Sequence, residues 1–167
     1  MRLNRLSSSW FRGVPDIVDA ATRSRMMAGI RGKNTRPELA IRSALHQRGL
    51  RYRIHSSKVF GRPDMVFPSQ KAVVFVHGCF WHGHDCRFFR LPKTRADFWR
   101  LKIAQNRARD GVVAEQLAAH GWRQLVVWEC ALRGQGPNAP VLIAERVAKW
   151  LRSKKRTAEI RGRNVTR

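Results

Sequence analysis

The sequence predicts an α/β fold, a central mixed β-sheet flanked on both faces by helices, and three observations predict it. Two short apolar runs, KAVVFV at 71–76 and QLVVWE at 124–129, lack the apolar/polar alternation of half-exposed strands and suit strands buried on both sides. A long stretch of helical spacing lies between them. The elements follow in the order helix, strands, helix, strand, helix, which describes a layered mixed sheet.

Along the chain, residues 1–18 show no sustained periodicity and are expected to form a basic arm. A weak helix is expected from Asp19 to about Ile30. A stronger one opens at Thr35-Arg36-Pro37-Glu38 and runs to about Gln47, stopping near Gly49. Thr35 can cap it, Pro37 fits its first turn, and Glu38 sits at the capping-box position. RYRIH at 51–55, DMVF at 64–67 and KAVVFV at 71–76 read as strands, the last two joined as a hairpin through Pro68-Ser69-Gln70. Phe98, Leu101, Gln105, Ala108 and Val112 share one face at helical spacing, which predicts a helix from about Arg95 to His120, ended by Gly121. After the strand at 124–129 and the loop RGQGPNAP comes an amphipathic helix, Pro140–Arg152. Residues 153–167 are dense in cations and read as a solvated basic tail. One domain, 19–152, is expected between arm and tail, large enough for a core without disulfides.

The net charge is +23, from 34 Lys and Arg against 11 Asp and Glu. That excess implies a polyanionic partner held through counterion release, with nucleic acid foremost. The longest apolar run, Ala72–Val76, is far short of a membrane span, and the first residues lack the apolar core of a secretory signal. A cytoplasmic location is expected. Three cysteines form an odd set in a sizeable domain, which argues for reduced thiols or metal ligands.

The chemistry concentrates in a few places. Gly61-Arg62-Pro63-Asp64 puts an acid at a corner entering a strand, where a carboxylate can hold a divalent cation against a phosphate; taken alone, such an acid more often shapes a turn. The stretch VHGCFWHGHDC, residues 76–86, supplies His77 and His82, able to move protons near neutral pH. A lone histidine is usually a packing or surface residue; two downstream of a turn acid in so basic a chain favour catalysis. His84 and Cys86, spaced i, i+2, leave the same face of an extended segment and can grip zinc. Cys130 is the distant thiol available to them, and a fourth ligand would be an acid or histidine such as Asp110; two inert buried cysteines fit the spacing equally. Cys79, between Gly78 and Phe80, reads as a core thiol. Phe80 and Trp81, with Trp99 on the long helix, are either core aromatics or a wedge that enters a base stack. The cationic run 87–95 reads as a phosphate-contacting loop, though such runs are usually solvated faces.

Taken together, NTRPELAIRSALHQRGLRYRIH, GRPDMVF, VHGCFWHGHDC, TRADFWRLKIAQNRARD and GWRQLVVWECALRG resemble the very short patch repair endonucleases, a branch of the restriction-endonuclease-like nucleases, over roughly residues 19–135. The resemblance implies a restriction-endonuclease-like three-layer fold and a magnesium-dependent enzyme. Such an enzyme nicks one strand of duplex DNA 5′ of the thymine in T:G mismatches left by 5-methylcytosine deamination at a methyltransferase's sites. It implies that Asp64 binds magnesium, aided by the Val76 backbone carbonyl, that His77 and His82 take acid/base or phosphate-stabilising roles, and that Glu38 completes the catalytic set. It also implies a structural zinc at His84, Cys86, Cys130 and Asp110, and intercalation by Phe80, Trp81 and Trp99. Val76 stands where relatives commonly carry threonine, and Gly83 where they carry another histidine. A monomer is expected, because a lone mismatch has no two-fold symmetry, and functional links to a cytosine methyltransferase and repair proteins follow from the resemblance. Two other functions compete: a restriction-type endonuclease on matched sites, and a zinc-stabilised DNA-binding module without catalysis.

Overall fold

The computed structural model describes residues 33–133 and 135–162, with residues 19, 21, 22 and 25 ahead of them. The expected N-terminal arm lies outside the described residues. So does most of the expected 19–30 helix, of which residues 21, 22 and 25 are helical and Asp19 Oδ1 accepts the Thr22 amide.

Helix α1 spans Arg36–Gln47, capped by Thr35, whose side chain accepts the Glu38 amide. Strands β1 (Met65–Phe67) and β2 (Ala72–His77) form the antiparallel hairpin around a 3₁₀ turn at Pro68–Gln70. Helix α2 spans Ala96–Ala119 and β3 Arg123–Trp128; helix α3 spans Ala139–Arg152 and β4 Thr157–Ile160. The four strands lie in the order β1-β2-β3-β4, with β2, β3 and β4 parallel.

Alternate residues of the central strands feed two cores, as strand geometry requires. Val74, Leu125 and Val127 face Ile41 and Leu45 of α1 and Ile143, Val147 and Leu151 of α3. Val73 and Phe75 face the other way, onto Leu117 of α2. Each large aliphatic side chain so buried contributes about 1.5–3 kcal/mol. Both faces are therefore covered, in the three layers that the sequence predicts.

Three expectations need correction. RYRIH does not form a strand: its ladder is a single bridge from Arg53 to Val66, and residues 53–55 are exposed. Residues 157–160 are no solvated tail but an edge strand paired to β3, with Ile160 only 3% exposed in the main core; the cation-rich composition hid one apolar anchor. Residues 163–167 of the expected tail lie outside the described residues. Helix α2 forms as expected but turned over. Phe98, Leu101 and Val112 are 46%, 62% and 52% exposed, and Ile103 and Leu117 pack inward instead.

Candidate active site and metal centre

The corner before β1 sets the first carboxylate. Gly61 has φ +80°, and a Cβ there would come within 2.4 Å of Val113 on α2, so only glycine lets the corner dock against that helix. Three residues after it, Asp64 turns its carboxylate to β2, where Oδ2 accepts the Val76 amide at 2.7 Å. Burial pushes this carboxyl up to about 6; the Val76 amide opposes the rise and the neighbouring Glu38 charge adds to it. Glu38 is buried at the start of α1. Its Oε1 accepts from the Thr35 hydroxyl at 2.8 Å, and its Oε2 from the Asn34 amide at 2.9 Å and from Arg42 at 3.0 Å.

Beyond β2, the chain folds into successive tight turns, with amide bonds from His82 to Gly78 O and from His84 to Cys79 O. Gly83 is at φ +57°, and a Cβ would meet Ile103 of α2 at 2.6 Å. A histidine at this position would be strained, which accounts for the glycine. The turns stack His77 on His82, with ring centroids 3.8 Å apart and planes 5° from parallel. His82 Nδ1 lies 2.5 Å from Asp110 Oδ2 on α2. Burial acts to raise the Asp110 carboxyl, but the hydrogen bond and charge of His82 hold it below the usual range, so it is an acceptor. His82 Nδ1 is accordingly the donor and Nε2 the nitrogen left for chemistry. Burial, helped by the neighbouring His82, lowers His77 to about 3, so its imidazole is neutral at physiological pH. Asp64, Glu38, His77, His82 and Asp110 all line one cleft of about 1110 Å³, whose wall also includes Trp81.

Trp81 packs against Phe80 and Trp99 at centroid distances of 5.2 and 5.9 Å, and Phe80 meets Trp99 at 5.1 Å. All three are half-buried. The aromatics singled out from sequence thus form one cluster beside the cleft. Arg87, Arg90, Lys93 and Arg95 of the adjoining loop are exposed.

A second cluster lies behind the first. Cys79, His84, Cys86 and Cys130 bring one donor atom each within 4.8 Å of one another. His84 Nδ1 is 3.5 Å from both Cys79 Sγ and Cys130 Sγ. Tetrahedral zinc, with its usual bond lengths to sulfur and nitrogen, sets such donors about 3.6 Å apart, so this S₃N set fits that metal. Burial pushes the Cys79 and Cys130 thiols up and the His84 imidazole down, the response of unpaired ligands out of water. His84 stacks on Trp128 of β3 at 4.0 Å, and the Gly162 amide donates to Cys130 Sγ at 3.3 Å.

This geometry corrects two sequence readings. Asp110 does not join the sulfur cluster, because its carboxylate is engaged by His82 on the cleft side. Cys79 is no mere core thiol, because its sulfur completes the donor set with His84, Cys86 and Cys130. The spacing Cys79, His84, Cys86 carried that signal, but a glycine-flanked cysteine suggested packing. Arg42, Asn106, Trp128 and Gly162 were also missed. Asn106 donates to the Trp81 carbonyl at 2.8 Å, a contact no local pattern reveals.

A mixed sheet between helices, with a turn acid, a helix glutamate and a histidine pair converging at one end of the sheet, defines a nuclease of the restriction-endonuclease-like class. A profile of the DNA mismatch endonuclease Vsr family matches residues 15–88. The chain is 53% identical over 121 residues to the type II nicking enzyme V.XorIIP of Xanthomonas oryzae, covering 72% of this chain and 89% of that one. To the DNA mismatch endonuclease Vsr of Escherichia coli it is 41% identical over 145 residues, 87% of this chain and 93% of that one. It is 42% identical to the type II nicking enzyme V.NmeAIP of Neisseria meningitidis, over 72% and 86% of the two chains. The chain belongs to the DNA mismatch endonuclease Vsr family.

Proposed function

We propose that the protein nicks one strand of duplex DNA 5′ of the mispaired thymine in T:G mismatches that arise from 5-methylcytosine deamination. The observation that carries the proposal is the adjacency of the aromatic cluster to the cleft: Trp81 belongs to both. The names of the relatives, mismatch endonuclease and nicking enzyme, support the same reading. The charge of +23 supports binding along a DNA backbone.

In this reading Asp64 and the Val76 carbonyl would hold magnesium, and the buried Asp64 carboxylate, raised by desolvation and by the neighbouring Glu38 charge, fits a hard cation. The ion supplies Lewis-acid stabilisation of charge developing on the phosphate. His82, its Nδ1 fixed by Asp110, presents Nε2 to the reacting oxygens. His77, neutral and stacked beside it, donates a hydrogen bond at the same phosphate. Glu38, besides capping α1, orients the attacking water. Phe80, Trp81 and Trp99 enter the base stack, which opens at a cost of a few kcal/mol, least where a pair is mismatched. Zinc at Cys79, His84, Cys86 and Cys130 keeps the wedge at a set distance from the scissile ester. The enzyme acts as a monomer on an asymmetric lesion, downstream of a cytosine methyltransferase that creates the sites at risk.

The test is one labelled duplex in T:G and C:G forms, incubated with magnesium. A nick confined to the T:G form is the expected result. Cuts in both forms would make it a restriction-type enzyme, and no cut with tight binding would make it a DNA-binding module.

A further inference from the structure

We propose that Arg42 is a positioning residue of the nuclease centre: its guanidinium ties Glu38 on α1 to the backbone of Asp64 and fixes the spacing of the two carboxylates. The proposal rests on the reading that the cleft is that centre.

Arg42 is one helical turn after Glu38 and is only 6% exposed. Its Nη2 donates both to Glu38 Oε2 at 3.0 Å and to the Asp64 carbonyl at 3.3 Å, across 22 residues of chain. Its Nη1 donates to Asn34 Oδ1 at 2.6 Å, and the Asn34 amide in turn donates to the same Glu38 oxygen at 2.9 Å. The Tyr52 hydroxyl pins the Arg42 carbonyl at 2.8 Å. One nitrogen, Nη2, thus contacts the side chain of one acid and the main chain of the other, and Nη1, held by Asn34, fixes the guanidinium plane in which it does so.

Stability alone gives a poor account of this arrangement. Arg42 Nε is buried without a hydrogen-bond partner, and a buried ion pair is often no more stabilising than an apolar pair of the same volume. What the guanidinium does supply is register. Helix α1 packs on the sheet through apolar contacts that tolerate small slides, whereas Glu38 and Asp64 must hold water and metal to within about half an ångström. A lysine here would keep the charge but lose the second nitrogen that holds Asn34 and the rigid plane that fixes the donor directions.

The test compares Arg42→Met, Arg42→Lys, Glu38→Gln and the Arg42→Met/Glu38→Gln double variant in single-turnover nicking of a T:G duplex at saturating enzyme. Duplex affinity is measured with calcium replacing magnesium, and folding is followed by thermal melting. Arg42→Met should slow nicking about 10²-fold, the scale of a small misplacement of reacting groups, while affinity stays within about threefold. Arg42→Lys should recover part of the rate, and the magnesium needed for half-maximal nicking should rise in both. If Arg42 acts through Glu38, the double variant should be no more than about threefold slower than Glu38→Gln alone. Nicking by Arg42→Met at the wild-type rate, or a double variant slowed by the product of the single effects, would overturn the proposal. Should Arg42→Met fail to fold, Arg42→Lys decides, because wild-type nicking by that variant would equally overturn it. An inert wild-type enzyme would instead sink the nuclease reading itself.

Discussion

Of the eleven residues 76–86, His77 and His82 meet Asp110 of α2 in the cleft, whereas Cys79, His84 and Cys86 meet Cys130 in the interior. The two halves of one segment are under opposite energetic regimes. In the cleft, burial holds groups away from their ordinary protonation: Asp64 rises to about 6 and His77 falls to about 3. These shifts burden the fold and keep the groups reactive. In the interior Cys79, His84 and Cys130 are likewise buried, but a metal would engage them together with Cys86, turning a poor environment into a cross-link between the loop and the end of β3. The cleft half gives up stability, and a metal on the sulfur half would restore it.

The largest expected effect follows from the cleft side. Asp64→Asn keeps the acceptor for the Val76 amide but removes the charge, and nicking should fall by more than about 10³-fold. Its stability should move the other way. A carboxyl raised from its ordinary 3.8 to about 6 contributes stability below pH 4 that is lost as pH rises through 6. Above pH 6 the metal-free wild type therefore carries a penalty of about 2–3 kcal/mol, and the variant does not. Metal-free Asp64→Asn should melt several degrees above wild type at pH 7.5 and together with it near pH 4. A variant that is less stable at pH 7.5 would break the contrast between the halves.

Next in size is a pair of substitutions that separates the clusters directly. Cys79→Ser should lower bound zinc well below the one per chain expected for an S₃N site and cost several kcal/mol of stability. Asp110→Asn should leave zinc content unchanged and slow nicking about 10²–10³-fold through loss of His82 orientation. Metal analysis of the two purified variants is sufficient. Loss of zinc from Asp110→Asn would return that acid to the metal site.

The sequence legibly carried the layers and much of the site because those features are local. Capping at Thr35, the hairpin at Pro68, the doubly apolar β2 and β3, and the cluster in VHGCFWHGHDC are all written within a few residues. What it did not carry depends on which distant element a side chain meets. Asp110 reaches His82 and not Cys130 because of how α2 lies on the sheet, and 28 residues of separation encode none of that. The C-terminal strand was hidden for a similar reason. Gly162 sits where a Cβ would come within 2.4 Å of the Cys130 carbonyl oxygen, so the segment after β4 is fitted against the cysteine–histidine cluster despite its basic composition. Gly162→Ala should cost about 1–3 kcal/mol and loosen zinc retention against a chelator; an alanine variant that holds zinc as tightly as wild type would show that the close approach is dispensable.

The smallest effects are expected on α2, where hydropathy pointed to the wrong face. The sheet-facing stripe runs through Trp99, Ile103, Asn106, Asp110, Val113 and Leu117, and two of its members are polar because they hold Trp81 and His82. The opposite stripe, Phe98, Leu101 and Val112, looks more apolar only because the inward one is given over to the site. Leu101→Lys and Val112→Lys should therefore change stability by no more than about 0.5 kcal/mol, as substitutions at exposed positions do. Ile103→Ala, one turn from Asn106 and 7% exposed, should cost about 2–4 kcal/mol. Denaturant melts of the three variants compare the faces, and a costly Leu101→Lys would mean that the helix is seated by the stripe its hydropathy suggests.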